Sequence, residues 1–185
     1  MINPDICGQC DKMNRSCCTL KAENNEGLPA PLSKPEIERI LSVYKNRKQE
    51  DIVDSRVNSI QFINQMSMLF PDRVDLIHKV FPLNKKHFEL KTMGDACIFK
   101  DIDGCLLPNQ ARPYFCRIYP FWFFEDQLHI FQDSNCLVLE NCQTIPEVLL
   151  SLGTRPEKLK QIHAQVCEEW ELYLSMSQAK VKFSL

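Results

Sequence analysis

Glycine is scarce in this chain, with only 5 in 185 residues. Loops that cradle a nucleotide phosphate depend on glycines, because these let the backbone approach the phosphate closely. The sequence contains neither a P-loop nor a GxGxxG motif, and it also lacks the HExxH pair of zinc hydrolases and the GxSxG elbow of serine hydrolases. These absences argue against the enzyme classes that are recognised by such motifs.

A charge excess of one sign and long apolar runs are missing as well. The 22 basic and 24 acidic residues leave a net charge of −2, which favours neither nucleic acid nor an anionic membrane as a partner. No apolar run approaches the roughly 18 to 20 residues that a membrane span needs. The first ten residues, MINPDICGQC, lack the basic and apolar parts of an export signal. We therefore expect a cytoplasmic protein with no membrane span and no nucleic-acid partner.

Cysteine, in contrast, is abundant, and four of the 10 cysteines lie in CGQCDKMNRSCC, residues 7–18. In a reducing compartment such a cluster binds metal or carries redox chemistry more often than it forms disulfides. The Cys7-x2-Cys10 step is short enough for both sulfurs to bind one centre. The adjacent Cys17 and Cys18 point in opposite directions in extended chain and do not easily complete one tetrahedron. This stretch therefore predicts half of a metal site.

Residues 97–142 hold five more cysteines among proline and aromatic residues, and they supply candidates for the other half. In CIFKDIDGC the Asp103-Gly104 pair predicts a hairpin that brings Cys97 and Cys105 towards each other. In RPYFCRIYPF, cations beside Cys116 lower the cost of gathering anionic thiolates, so Arg112 and Arg117 are expected near the centre. The eight candidate ligands are Cys7, Cys10, Cys17, Cys18, Cys97, Cys105, Cys116 and Cys136.

The two remaining cysteines and the four histidines are not among the eight candidate ligands. Cys142 is either a ligand or a neighbour of the centre, whereas Cys167 lies beside an apolar helical stripe and is expected in the core. The four histidines are scattered outside the cysteine clusters and are not expected to bind metal. Aromatic residues around Cys116, namely Tyr114, Phe115 and Tyr119, are expected to shield the centre from water.

The sequence predicts an α+β, helix-rich fold with a small helical core, short β-hairpins and cysteine-bearing loops joined by a metal centre. Hydrophobic periodicity and capping signals predict helices over 34–47, 52–70, 72–81 and about 155–177, with a second hairpin turning at 125–127. We interpret residues 1–185 as a single metal-binding domain, with ligands in 7–18 and 97–142 on either side of a helical middle at 33–82.

Four stretches together resemble the YkgJ-like cysteine-cluster family, described as zinc- or iron-chelating proteins: CGQCDKMNRSCC, PLSKPEIERI, ACIFKDIDGC and RPYFCRIYPF. The resemblance extends from Cys7 to about Cys142, and flagellin lysine-N-methylases share the cysteine pattern. It implies a bound metal centre made of the N-terminal and central cysteines. Cys10 and Cys17 are separated by more residues than in the family pattern, which leaves open whether Cys17 or Cys18 is the ligand.

The predicted function is that of a cytosolic protein whose two distant cysteine segments hold an iron–sulfur cluster or an iron or zinc centre. An iron–sulfur cluster, of the 4Fe-4S type, is preferred because the thiol count is high and no histidine joins it. Zinc or iron ions are the alternative, since soft thiolates suit both. Two other functions stay open: a lysine N-methylase-like enzyme acting on a protein substrate, and a small electron-transfer or redox-sensing protein with a protein partner.

Overall fold

The first helix described after the N-terminal cysteine cluster begins at a capping box. In a computed structural model of the chain, the described residues are 9–10, 12, 30–94, 96–131 and 136–182, with only the backbone described at 172, 173 and 175–182. Helix α1 spans Lys34–Val43. Ser33 Oγ accepts from the Glu36 amide at 3.2 Å, while a Glu36 carboxylate oxygen accepts from the Ser33 amide at 2.7 Å. Both predicted partners of the capping box are thus confirmed.

The helix predicted over 52–70 is wrong in its first half. A single helical turn, α2 (Gln49–Ile52), is followed by strand β1 (Val53–Val57). Helix α3 begins only at Ile60 and ends at Leu69, and Ser59 Oγ caps it by accepting from the Phe62 amide at 3.0 Å. The apolar residues of 52–57 satisfy a helical spacing, but strand pairing with a distant segment decides their conformation, which a local pattern does not show.

The partner of β1 is strand β2 (Lys86–Leu90), which pairs antiparallel with Val53 opposite Leu90 and Val57 opposite Lys86. Between them the predicted third helix is present as a 3-10 turn at Pro71–Arg73 followed by α4 (Val74–Val80). Leu32 forms an isolated antiparallel bridge with Phe88 on the other edge of β2.

Two very short hairpins carry the first central cysteines. Strand β3 (Thr92–Met93) pairs with β4 (Ala96–Cys97), and β5 (Lys100–Asp101) pairs with β6 (Gly104–Cys105). The predicted turn at Asp103-Gly104 is confirmed as a hairpin, with Gly104 at a φ of 112°. However, Cys105 lies opposite Lys100 and Cys97 lies opposite Thr92. The two cysteines therefore belong to consecutive hairpins and do not face each other across one.

The next elements are a 3-10 turn at Asn109–Ala111, helix α5 (Tyr114–Ile118) and a further hairpin of β7 (Phe121–Phe124) and β8 (Gln127–Ile130). The turn of this hairpin, Glu125-Asp126, has φ values of 47° and 63°, so the predicted turn is confirmed although Gln127 already belongs to the strand.

Three helices complete the chain: α6 (Leu137–Asn141), α7 (Ile145–Ser151) and α8 (Pro156–Lys182). The last contains the predicted C-terminal helix and extends past it. Its apolar stripe is buried at Leu159, Ile162, Val166 and Trp170, and Cys167 is buried with it, as expected. The side chain of Tyr173, also predicted in the stripe, lies outside the described residues.

Apolar side chains form two cores. The larger core joins α3, α5, β7 and α8, and Phe70 lies at its centre, with ring centroids 5.1 Å from Trp122 and 5.2 Å from Trp170. The smaller core consists of Leu32, Ile37, Ile40, Ile52, Val53, Phe99, Leu107 and Ala111. The helices and short antiparallel hairpins make this an α+β, helix-rich fold, as predicted. In the described part of the chain, each helix is too short or too polar to cross a membrane.

Candidate metal centre and the adjoining polar junction

In the described part of the N-terminal cysteine segment, residues 9–10 and 12, Lys12 lies close to the hairpin that carries Cys105. Gln9, Cys10 and Lys12 are in helical conformation, and Cys10 is buried, with 8% of its surface exposed. Lys12 Nζ is 3.4 Å from Asp103 Oδ1, at the turn between β5 and β6. Both side chains are largely exposed, so this ion pair contributes little stability. The contact does show that Lys12 lies beside the turn of the hairpin that carries Cys105.

Cys97 and Cys105 share one environment even though they are not paired across a hairpin. Both are partly buried and pack against the smaller core. Arg112, predicted to lie near the centre, hydrogen-bonds to the backbone of this segment: its Nε donates to the Leu107 carbonyl at 2.9 Å and its Nη2 donates to the Cys105 carbonyl at 3.4 Å. The guanidinium therefore fixes the chain that follows β6.

The candidate thiols described after Cys105 lie on or beside the larger core. Cys116 is exposed on α5, and Cys136 is partly buried at the start of α6. Cys142 packs against the same core, with its Sγ 3.3 Å from Ser151 Oγ. Burial raises the pKa of Cys167 to about 11, so this thiol is neutral at neutral pH.

The described residues alone do not complete a metal site. Among residues 9–10, 12, 30–94, 96–131 and 136–182, no three His, Cys, Asp or Glu side chains are grouped to hold an ion. Cys7, Cys17 and Cys18 lie outside the described residues. Each of Cys97, Cys105, Cys116 and Cys136 has an interaction partner in the structure. The described cysteines are therefore distributed over two neighbouring regions, the smaller core with the Lys12 contact and the α5–α6 side of the larger core.

A second constellation, which the sequence did not reveal, connects α1, α5 and α8. We call it the polar junction, formed by Ser33, Glu36, Arg39, Tyr114 and Glu169. Glu36 Oε1 accepts from the Tyr114 amide at 2.7 Å, and Glu169 Oε1 accepts from Tyr114 Oη at 2.6 Å and from Arg39 Nη1 at 2.8 Å. Ser33 Oγ donates to Glu169 Oε2. One carboxylate thus joins three elements that are far apart in sequence.

Burial dominates the electrostatics of the polar junction. It raises the pKa of Glu36 above its ordinary value, although the amides of Ser33 and Tyr114 oppose this by donating to the carboxylate. Burial also raises the pKa of Tyr114 to about 12, with a further contribution from its hydrogen bond to Glu169. Tyr114 is therefore a neutral donor, held in place as part of the core; its predicted role as a shield of the centre stays a prediction.

Two arginines flank the Tyr114 ring. The Arg39 Cζ lies 4.6 Å from the ring centroid, and the Arg117 Cζ lies 5.5 Å from it. Burial lowers the pKa of Arg117. The sequence pointed to Arg117 through its position next to Cys116 but gave no signal for Arg39, because the partner Glu169 lies in a helix whose orientation no local pattern predicts.

Comparison with known proteins adds no identification. No protein-family model matches the chain, no curated protein is significantly similar in sequence, and no solved structure is significantly similar in fold. The resemblance to the YkgJ-like family therefore stays a prediction from the four quoted stretches.

Proposed function

We propose that the chain is a metal-binding protein in which cysteines of the N-terminal segment and of residues 97–136 hold one centre. The supporting observation is the ion pair of Lys12 with Asp103, which brings the segment of Cys10 to the hairpin of Cys105. Burial of Cys10 fits this proposal, since the segment is packed against the rest of the chain.

The donor set fits a soft metal. Thiolates suit iron–sulfur clusters, iron and zinc, and the predicted ligand set contains no histidine. A cluster bound here would supply electron transfer or structural cross-linking. The chain itself would supply the ligands, the Arg112 hydrogen bonds that fix the Cys105 segment, and packing of Cys97 and Cys105 on the smaller core. We retain a 4Fe-4S cluster as the preferred group, with zinc or iron ions as the alternative.

Elemental analysis of protein purified without oxygen tests this proposal. We expect stoichiometric iron with acid-labile sulfide and visible absorption for the preferred cluster, or stoichiometric zinc or iron without sulfide for the alternative. Removing the metal with a chelator should lower the free energy of unfolding, because the ligands are far apart in sequence and the metal joins them. Protein that contains no stoichiometric metal and is equally stable in chelator would contradict the proposal.

The finer predictions rest on the sequence. The lysine N-methylase-like activity and the redox-sensing role, each with a protein substrate or partner, are carried by the family resemblance and by the thiol count, and no contact in the described residues favours one over the other. We propose the cytoplasm as the compartment because thiols used as metal ligands persist in a reducing environment.

A further inference from the structure

The Arg39 guanidinium is hydrogen-bonded through one of its nitrogens and finds no acceptor for the other two in the residues that the structure describes. Its Nη1 donates to Glu169 Oε1 at 2.8 Å. Its Nε and Nη2 are buried from solvent, and no acceptor among the described residues lies within hydrogen-bond distance of either atom. The Nε and Nη2 hydrogens point in the same direction and form the edge with which a guanidinium binds a carboxylate or phosphate through two parallel hydrogen bonds.

Arg117 adds a third donor beside the same ring. Its Cζ lies 5.5 Å from the Tyr114 centroid, against 4.6 Å for Arg39, and its Nε is likewise buried without an acceptor in the described part of the chain. Buried guanidinium N–H groups are expensive to leave unpaired, and native proteins rarely do so. Three such donors around one tyrosine therefore indicate a missing acceptor.

The neighbouring carboxylates do not supply that acceptor. Glu169 Oε1 already accepts from Arg39 Nη1 and Tyr114 Oη, and its Oε2 accepts from Ser33. Glu36 Oε1 accepts from the Tyr114 amide at 2.7 Å, and its Oε2 accepts from the Ser33 amide at 2.7 Å. A rotation of either carboxylate towards the unpaired arginine hydrogens would break bonds that join α1, α5 and α8.

We propose that Arg39 and Arg117, placed around the Tyr114 ring, form a binding site for one oxyanion, a carboxylate or phosphate group of a ligand. The Nε/Nη2 edge of Arg39 would hold two oxygens of the anion, and Arg117 Nε would donate a third hydrogen bond. The Arg39 side chain is 31% exposed, so the site lies just under the surface. The proposed hydrogen bonds to the oxyanion do not involve a metal, although Arg117 follows the candidate ligand Cys116 in sequence.

Nitrogen-15 NMR of the arginine Nε–H groups tests the site directly on the full chain. Sodium phosphate and sodium formate are titrated separately at constant ionic strength, with sodium chloride as the reference. We expect saturable shifts at Arg39 and Arg117 Nε–H with at least one of the two oxyanions. The Nε–H of Arg73, whose guanidinium pairs with Glu171 at 2.9 Å on the surface, should not shift in a saturable way.

Two conservative variants separate this site from general charge effects. Arg39→Lys keeps a positive charge for Glu169 but lacks the two-donor edge, so the affinity for the oxyanion should fall roughly tenfold. Arg117→Lys should also weaken it, whereas Arg73→Lys, the matched control, should bind as the wild type does. If Arg39→Lys does not fold, the proposal is still tested by the affinity of Arg117→Lys and by the shifts in the wild-type protein.

No saturable shift in the wild type would overturn the proposal, and would mean that ordered water alone completes the three donors. Equal affinity in wild type, Arg39→Lys and Arg117→Lys would overturn it as well. Metal content is measured on every sample. A failed titration in a protein that carries its metal counts only against the oxyanion site, and intact oxyanion binding in a metal-free protein counts only against the proposed metal centre.

Discussion

Asn58 has no exposed surface, and both ends of its side-chain amide are hydrogen-bonded. Its Nδ2 donates to the Pro82 carbonyl at 2.8 Å, which leaves Oδ1 to accept from His87 Nδ1 at 2.7 Å. The His87 ring in turn stacks on Phe62, with centroids 4.0 Å apart. Asn58 therefore binds the turn before β2 through Pro82 and orients the His87 ring that packs on α3.

We predict that Asn58→Ala lowers the free energy of unfolding by about 2 kcal/mol, because it leaves two buried polar groups without their partner. Asn141, which is exposed and donates to the Leu137 carbonyl at 2.9 Å, is the matched control, and Asn141→Ala should change stability by under about 0.5 kcal/mol. Urea unfolding measures both. Equal losses in the two variants would contradict the role given to Asn58.

His163 gives the fold a calculable acid sensitivity. Burial among aromatic rings lowers its pKa to about 4, and its Nε2 has no hydrogen-bond partner among the described residues. Since the unfolded imidazole has a pKa of about 6.5, the unfolded state binds the proton more tightly. Stability is then full above pH about 6.5 and falls as the pH drops towards about 4, by about 3 kcal/mol in all.

We expect His163→Leu to flatten this part of the stability profile between pH about 6.5 and 4. Replacing the exposed His78 by leucine should leave the slope unchanged. Unfolding by urea at several pH values provides the measurement. If the slope of wild type survives in His163→Leu, the acid sensitivity belongs to another group.

At the scale of elements, two helices begin with the same capping box in different surroundings. In α1 the Glu36 carboxylate caps its own helix and also accepts from the Tyr114 amide of α5. In α7 the Glu147 carboxylate accepts from the amides of Thr144 and Gln143 at the surface, and these bonds lower its pKa. Comparing the loss of unfolding free energy at Glu36 and at Glu147 therefore measures what the hydrogen bond between α1 and α5 adds to a local cap.

Glu36→Ala should therefore cost about 3 kcal/mol of unfolding free energy, since it removes the cap and leaves buried amides unpaired. Glu147→Ala should cost clearly less, because the Gln143 and Thr144 amides that lose their acceptor are exposed and can bind water instead. Chemical denaturation of the two variants checks the difference. A loss at Glu36 no larger than at Glu147 would show that the α1–α5 link adds nothing.

The β7–β8 hairpin carries residues that do not suit its turn. Glu125 and Asp126 both adopt positive φ, as a type I′ turn requires, although Asn-Gly is the preferred pair there. We predict that Glu125→Asn combined with Asp126→Gly raises stability by about 0.5 to 1 kcal/mol. Asp126 also pairs with Lys160 at 2.9 Å, so Lys160→Ala is the control for that exposed contact. A less stable double variant would contradict this turn assignment.

The sequence predicts those elements whose signals are local. The capping box at Ser33 and Glu36 locates α1, the Asp103-Gly104 pair locates a hairpin, and Thr154 with Pro156 locates α8. It fails at 53–57, where pairing with 86–90 overrides a helical spacing. The prediction from the sequence also omitted α7, although Thr144 and Glu147 repeat the capping-box pattern used for α1.

At the scale of the whole molecule, the candidate site is predictable in composition but not in arrangement. Cysteine spacing predicts which thiols are ligand candidates, yet it does not show that Cys97 and Cys105 occupy consecutive hairpins. The polar junction is less predictable still, because Glu169 joins Ser33 and Arg39, which precede it by 136 and 130 positions, and Tyr114, which precedes it by 55. Such contacts depend on how the helices pack.

The central claim is that cysteines of the N-terminal segment and of the hairpins hold the same metal centre, and metal content in matched variants tests it most directly. Cys10→Ser and Cys105→Ser are purified without oxygen beside Cys167→Ser, whose thiol is buried in the larger core. Circular dichroism confirms that each variant is folded. We predict that the first two each lose most of the bound metal and that Cys167→Ser keeps it. Full metal content in folded Cys10→Ser or Cys105→Ser would contradict a shared centre.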